Sequence, residues 1–314
     1  MSTGSCDHTI HGAQHHNAWD NALAPALEVE SGASVEFEVV DASGGQVRRD
    51  STADDLVALD FTRVNPVTGP VSVRGARPGD VLEVEVLEFE MSDWGWTAII
   101  PGFGLLADAF PEPWLKIWDL TPGGPTARFE DGIDIPVAPF PGTIGVAPPE
   151  PGPHSIVPPR AWGGNLDIKH LTVGTRLYLP VGVEGALFSV GDTHAAQGDG
   201  EVCGTAIESP MRVALRFRIR RDLTLARPAF ETTRAAPTTG EPGAFVTTGV
   251  ADDLMVASRQ AVEGMIEHLG RVGGLDAASA YALASVAVDL RIHEVVDVPN
   301  WVVGAWLPNG IVRR

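Results

Sequence analysis

The sequence predicts an α+β protein, mostly β, with antiparallel sandwich or barrel layers and a helical C-terminal segment. Three observations carry that expectation. Apolar and polar residues alternate with a period of two through the first three-quarters of the chain. Glycine and proline punctuate those stretches, and two runs of helical character close the sequence. Two regions follow: a β-rich region 1–170 that includes Trp-rich and Pro-rich loops, and a β-rich region 171–314 with two helices. They are expected to intertwine as one unit.

In chain order, "LEVESGASVEFEVVDA" (27–42) reads as strand, Ser-Gly turn, strand, with Val35, Phe37 and Val39 on one face. "PVSVRGARPGDVLEVEVLEFE" (70–90) repeats the device around an Arg-Pro-Gly-Asp turn, setting Val81, Glu83 and Glu85 against Leu82, Val84 and Val86. "DWGWTAIIPGFGLLADAF" (93–110) is aromatic and too broken for one regular element. Its Trp94/Trp96 portion suits either a functional loop or an oligomer contact. The segment 135–167 carries nine prolines between Pro136 and Pro159 and must be largely extended. "RLYLPVGVEGALFSVGD" (176–192) and "MRVALRFRIRR" (211–221) return to the strand pattern. Then "DDLMVASRQAVEGMIEHLG" (252–270) puts Leu254, Ala257, Ala261, Met265 and Leu269 near one face, with Asp as a start signal and Gly270 as a stop. A second, largely apolar helix is expected over 275–292.

Composition narrows the function classes. The 314 residues are 44% hydrophobic and 20% charged, which is the balance of a globular chain rather than a disordered one. A formal net charge of −19 argues against nucleic acid and anionic membrane surfaces, both of which require basic patches. It suits a soluble protein that handles a small molecule. Only Cys6 and Cys203 could form disulfides, so a reducing cytoplasm is expected. The N-terminus lacks the basic-then-apolar pattern of a signal peptide, and no apolar run reaches membrane-spanning length. Arginine outnumbers lysine twenty to two. Under such a bias Lys116 and Lys169 are positions where a compact ammonium is hard to replace.

The chemistry concentrates in "GDTHAAQGDGEVCGTAIE" (191–208). Asp192 and His194, two apart on a strand, share a face and suit one metal ion. The Gly-Asp-Gly turn after Gln197 folds Asp199 and Glu201 back, and Glu208 ends the next short stretch. Clustered carboxylates can bind a divalent ion, or one can be held neutral as a general acid. A single acid in a turn is usually structural. The combination of His, Gln and four acids is not what a turn requires. Cys203, among so many acids, makes a poor nucleophile and is read as structural. Two further constellations are "HGAQHHNAWDNALAP" (11–25), in which His16 is best placed, and "WGGNLDIKHL" (162–171), in which Asn165, Asp167 and Lys169 alternate along one edge. No nucleophile elbow, phosphate loop or dinucleotide fingerprint is present.

Taken together, "GDTHAAQGDGE" with "GTAIE", "HNAW" (16–19), "NPVTGP" (65–70), "PGDVLEVEV" (78–86), "GTIGVAP" (142–148) and "GGNLDIK" (163–169) resemble the acetamidase/formamidase family of amide hydrolases. The resemblance implies a β-rich fold, hydrolysis of short aliphatic amides to carboxylate and ammonia, and a divalent metal such as zinc. Some members resemble lactam hydrolases, so a cyclic amide is the alternative substrate. His170 departs from the family pattern, where Asn often follows the Lys. On this reading His16, Asp192 and His194 hold the metal. Glu208 or Glu201 shuttles the proton, with Asp199 and Lys169 also in the catalytic group. Asn165, Asp167 and Gln197 orient the amide. A homo-oligomer is expected, because the Trp-rich segment wants covering. Two other classes stay open: a different metal-dependent β-sandwich enzyme such as a lyase, and a binding protein whose acids hold calcium. His194 favours a softer ion than calcium.

Overall fold

Two sheets facing across one apolar layer hold most of the strands, so the alternation resolves into a sandwich rather than a closed barrel. The computed structural model describes residues 6–232 and 243–312. In chain order its strands are β1 (His8–Ile10), β2 (His15–His16), β3 (Leu27–Val29), β4 (Ser34–Val39), β5 (Val67–Val73), β6 (Val81–Met91) and β7 (Trp94–Ile99). There follow β8 (Trp114–Asp119), β9 (Thr126–Glu130), β10 (Ile133–Pro136), β11 (Phe140–Val146), β12 (Gly163–Asn165), β13 (Arg176–Pro180) and β14 (Phe188–His194). The last are β15 (Met211–Arg220), β16 (Ala229–Thr232), β17 (Ala244–Ala251), β18 (Asp289–Glu294) and β19 (Trp301–Pro308). Helices α1 (Leu254–Gly273) and α2 (Ala277–Ala287) lie between β17 and β18.

The larger sheet has nine strands in the order β1-β4-β15-β6-β13-β16-β17-β19-β18. The smaller runs β12-β11-β14-β5-β2, with β3 joined to β5. Each sheet draws strands from both halves of the sequence. The inward faces are those the alternation names: Val35, Phe37 and Val39 on β4, Leu82, Val84 and Val86 on β6, and Val213, Leu215 and Phe217 on β15 are all buried. Phe188 of the smaller sheet meets Phe37 and Phe217 of the larger edge-to-face, at 5.8 and 4.9 Å between ring centres. Glu and Arg line the outer side, where Arg216 reaches Glu85 and Arg218 reaches Glu83, each at 3.1 Å.

The turns fall where composition puts them, yet the strands they join do not pair. The pairs β3/β4, β5/β6 and β13/β14 each cross from one sheet to the other. A turn residue fixes a local reversal; the partner of the emerging strand is chosen by which apolar face it can bury. The stretch 93–110 contributes a regular strand after all, since β7 pairs antiparallel with β8. Trp96 is buried by its own chain rather than left for a partner to cover.

The helical end also differs in detail. Asp253 caps α1 by accepting from Val256 N at 2.9 Å. The helix overruns the expected stop at Gly270 and continues to Gly273. Gly274, at φ 64°, closes it by donating to the Gly270 carbonyl at 3.0 Å. The second helix ends at Ala287, and residues expected to extend it to 292 form β18 instead. There Leu290 and Ile292 alternate with Asp289, Arg291 and His293, and β19 supplies the pairing edge. Ala257, Ala261, Met265 and Leu269 of α1 pack on β17 and β19 as the periodicity indicates.

That packing is tight enough to test. A Cβ on Gly249 of β17 would lie 1.8 Å from the Ala257 carbonyl oxygen of α1. Gly249→Ala should therefore lower the unfolding free energy by about 1–3 kcal/mol or more, as overpacked cores do, and denaturant titration would measure it.

Candidate active site

His194, the last residue of β14, is almost wholly buried with 1% of its surface exposed. Its Nε2 lies 3.1 Å from Asp192 Oδ1 and 3.0 Å from Glu208 Oε2. Its Nδ1 lies 2.9 Å from Gln197 Oε1. The amide of Gln197 is oriented by its other end, because Nε2 donates to the Asp167 carbonyl at 2.8 Å. Oε1 is therefore an acceptor, and His194 Nδ1 carries a hydrogen. Nε2 is left to face the two carboxylates.

Glu208 is set by register. It exchanges both backbone hydrogen bonds with Trp96, each at 2.8 Å, and its Oε1 accepts from Ala206 N at 2.7 Å. Asp192 Oδ2 receives Asn65 Nδ2 at 3.2 Å and lies 3.3 Å from the Thr143 hydroxyl. Asn165 bonds to Thr143 and donates to the carboxylate of Asp297. Asp167, Glu201 and Glu294 complete a group of six buried carboxylates, of which Asp167, Asp192, Glu201 and Glu208 lie at His194. Asp167 Oδ1 stands 3.7 Å from His194 Nδ1, and neither of its carboxylate oxygens meets a hydrogen-bond donor. Asp167 and Asp297 face each other, a contact that becomes a hydrogen bond only when one of them holds a proton.

Two local devices let the backbone build this. Six described residues other than glycine have positive φ, and four of them are here: Asn65 (47°), Asp167 (45°), Asp192 (53°) and Glu201 (46°). Asp192 and His194 thus meet across a kinked strand end, not simply through the pleat. Such conformations cost free energy and cluster where side chains must be aimed. The second device is Gly142 of β11. A Cβ there would sit 2.5 Å from Asp167 Oδ1, 2.8 Å from His194 Cε1 and 2.9 Å from Asp192 Oδ2. Only a residue without a side chain lets β11 pass.

Burial dominates the titration of the acids. It pushes Asp167 up to about 7 with help from the Asp192 charge, Glu208 up to about 7, and Glu294 up to about 8. Glu201 and Asp297 are also raised well above the ordinary carboxylate range, by burial and neighbouring acids. For Asp192 burial acts in the same sense but His194 outweighs it, so that its carboxyl stays below its usual value. Burial alone would drive His194 neutral; Glu208 and Asp192 reverse this and hold it well above the usual value. A site that attracts a proton so strongly between two carboxylates fits a metal ion equally well.

Three groups of described residues could hold such an ion: Asp192, His194 and Glu208; Asp167, His194 and Glu201; and His170, Asp199 and His293. Gln197 decides between the first two, since it occupies the nitrogen that faces Asp167. The first group also opens onto a cavity of about 180 Å³ lined by Asn65, Asn165, Asp192, Glu201, Glu208 and Asp297 on its polar side. That is below the roughly 300–1,000 Å³ of drug-sized pockets, so the ligand is small.

The structure thus gathers Asp167, Asp192, His194, Glu201 and Glu208, and brings Asn165 and Gln197 to them. His16 is not brought in. Its Nδ1 bonds the Ala18 carbonyl at 2.7 Å and its Nε2 the Ser189 hydroxyl at 2.9 Å, so both ring nitrogens are engaged elsewhere. Asp199, 32% exposed at its side chain, pairs with Lys169 at 3.0 Å, away from His194. Gln197 aims the imidazole, and Asp167 does not line the cavity. Sequence reasoning passed over Asn65, Thr143, Glu294 and Asp297. The usable signal was "HEVVDVPN" (293–300), two acids beside a histidine, immediately after the helix expected over 275–292.

Comparison with known proteins agrees. The model of the "Acetamidase/Formamidase family" matches residues 5–156 and 152–314. A formamidase of Methylophilus methylotrophus is 30% identical, over 95% of this chain and 89% of that protein. A solved structure described as a predicted acetamidase/formamidase from Thermoanaerobacter tengcongensis superposes with a TM-score of 0.88 at 32% identity, covering 97% of this chain and 96% of that one. A gamma lactamase from Delftia acidovorans gives 0.69 at 30% identity, covering 98% and 94%. No helix among the described residues is long and apolar enough to cross a membrane.

Raised carboxyl values predict the pH behaviour of the metal-free protein. The folded state binds these protons more tightly than the unfolded chain, so their contribution is complete below pH 4 and is lost as pH passes about 7 for Asp167 and Glu208 and about 8 for Glu294. The melting temperature after chelation should fall across that window. A melting temperature that rises there would show that the acids are not held neutral.

Proposed function

The chain belongs to the acetamidase/formamidase family, and on that premise we propose that it hydrolyses amides at the His194 cluster, with Asp192, His194 and Glu208 as the residues that hold a divalent metal. The observation that carries this is the fixed tautomer of His194, whose Nε2 faces two carboxylates at the floor of a small cavity. One imidazole with two carboxylates suits zinc better than calcium, which takes oxygen ligands. Bound there, the ion would polarise the amide carbonyl and acidify a water.

The chain's own groups supply the rest. Glu201 lines the same cavity but is not in the first ligand group, and burial beside Asp167 holds its carboxyl high. A divalent ion held beside it would favour its ionised form, which is placed to take a proton from water and return it to the departing nitrogen. Asn65 holds Asp192 in place, and Asn165 ties Thr143 to Asp297, so both asparagines orient acids as well as facing the substrate. The Lys169–Asp199 pair pins the loop that carries Glu201.

We place the enzyme in the cytoplasm, in keeping with free Cys6 and Cys203. A second copy of the chain would cover the exposed apolar residues Tyr281, Val286 and Leu290 at α2 and β18.

Purified protein should release ammonia from acetamide or propionamide and lose that activity with a strong chelator. His194→Ala should lose bound metal and turnover together while the circular dichroism of the fold is kept; turnover without His194 would sink the assignment. Gln197→Leu should weaken metal binding by about 10–100-fold, as loss of a ligand's supporting hydrogen bond does, measured by competition with a chromogenic chelator.

A further inference from the structure

Besides its acids, the cavity is lined by Leu59, Phe61, Trp96, Ile100, Phe103 and Val157. This wall is tied to the chemistry by register. Trp96 and Glu208 are direct cross-strand partners, so their side chains stand on one face, the ring beside the carboxylate. The indole's one polar atom is committed elsewhere, since Nε1 donates to Asp41 Oδ1 at 3.1 Å. Phe103 meets Phe61 edge-to-face with ring centres 6.4 Å apart. Phe103 is also fitted against Gly204, where a Cβ would come within 2.4 Å of the ring, three residues after Glu201. The loop carrying Phe103 is bonded to the same segment through Leu105 N and the Val202 carbonyl at 3.0 Å. No Lys, Arg or His lines the cavity.

We propose that this wall is an acyl-binding surface, and that the preferred substrates are primary amides with an uncharged apolar acyl group of several carbons rather than formamide. The inference rests on the amide-hydrolase reading above and adds the identity of the acyl group. The amide head belongs at the carboxylate floor, where hydrogen-bond donors and acceptors converge. Formamide has no carbon beyond its carbonyl and would leave the aromatic wall against water. An apolar cavity of roughly 150 Å³ lined by Leu, Ile and Phe accepts benzene, so about 180 Å³ holds a short acyl chain with its amide. An acyl group bearing its own carboxylate would set that charge against an apolar wall that offers no Lys, Arg or His. The half-exposed Phe61, 52% accessible, marks the open end at which longer chains cease to gain.

The test is kcat/KM by ammonia release for formamide, acetamide, propionamide, butyramide and succinamate with the wild-type metal-loaded protein. The expected order rises from formamide to butyramide by about fourfold per buried methylene, with succinamate far below butyramide. Phe103→Ser should bring the butyramide-to-acetamide ratio towards one, chiefly by raising KM for butyramide. A formamide-first order, or a ratio that Phe103→Ser leaves intact, overturns this inference and leaves the amidase standing. Ammonia from none of the five removes the amidase reading itself, and this inference with it.

Discussion

Everything in the site depends on one hydrogen bond, from His194 Nδ1 to Gln197 Oε1. It fixes which imidazole nitrogen is free. With it, Nε2 faces Asp192 and Glu208 and the three side chains form one donor set. Without it the ring could turn its hydrogen inward, and the two carboxylates would have only a proton to share. The bond is itself held by the Gln197 contact to the Asp167 backbone, so the orientation of one ring is tied to the segment that carries the neighbouring acid. Supporting hydrogen bonds of this kind commonly set ligand orientation in metal proteins.

The second constraint is electrostatic. Six buried carboxylates lie together, four of them at His194, and charge on all six cannot be sustained in a low-dielectric interior. The site responds by holding several acids neutral and by drawing a cation to His194. On the proposed reading, a cation bound at the His194 group would let a neighbouring carboxyl release its proton and take up the one that water loses and nitrogen later gains. The same crowding accounts for the local backbone. Four residues in left-handed conformations and a glycine with no room for a side chain are the cost of aiming so many acids at one point.

The sandwich makes this affordable. Both sheets share an apolar layer, and β14 lies between β11 and β5 near the middle of the smaller one, so its last residues are anchored on both sides. Glu208 then reaches His194 because it bridges β14 and β7. The aromatic wall follows from that bridge, since the residue opposite Glu208 is Trp96.

The sequence alone determined the β-rich class, the inward faces of β4, β6 and β15, the cap and buried stripe of α1, and the segment 191–208 as a source of the buried acids gathered at His194. Each of these is local, written in a period of two or 3.6 residues or in clustered residue types. The motifs also carried the family. Sequence did not reveal that consecutive strands cross between sheets, because turn residues encode a reversal and not a partner. It could not exclude His16, whose nitrogens are taken by Ala18 and Ser189, the latter 173 residues away in sequence. Nor could it bring Asp297 beside Asn165 across 132 residues, or turn Gln197 from the substrate to the imidazole. Those outcomes depend on which side chains meet through space, and only the packed tertiary structure decides that.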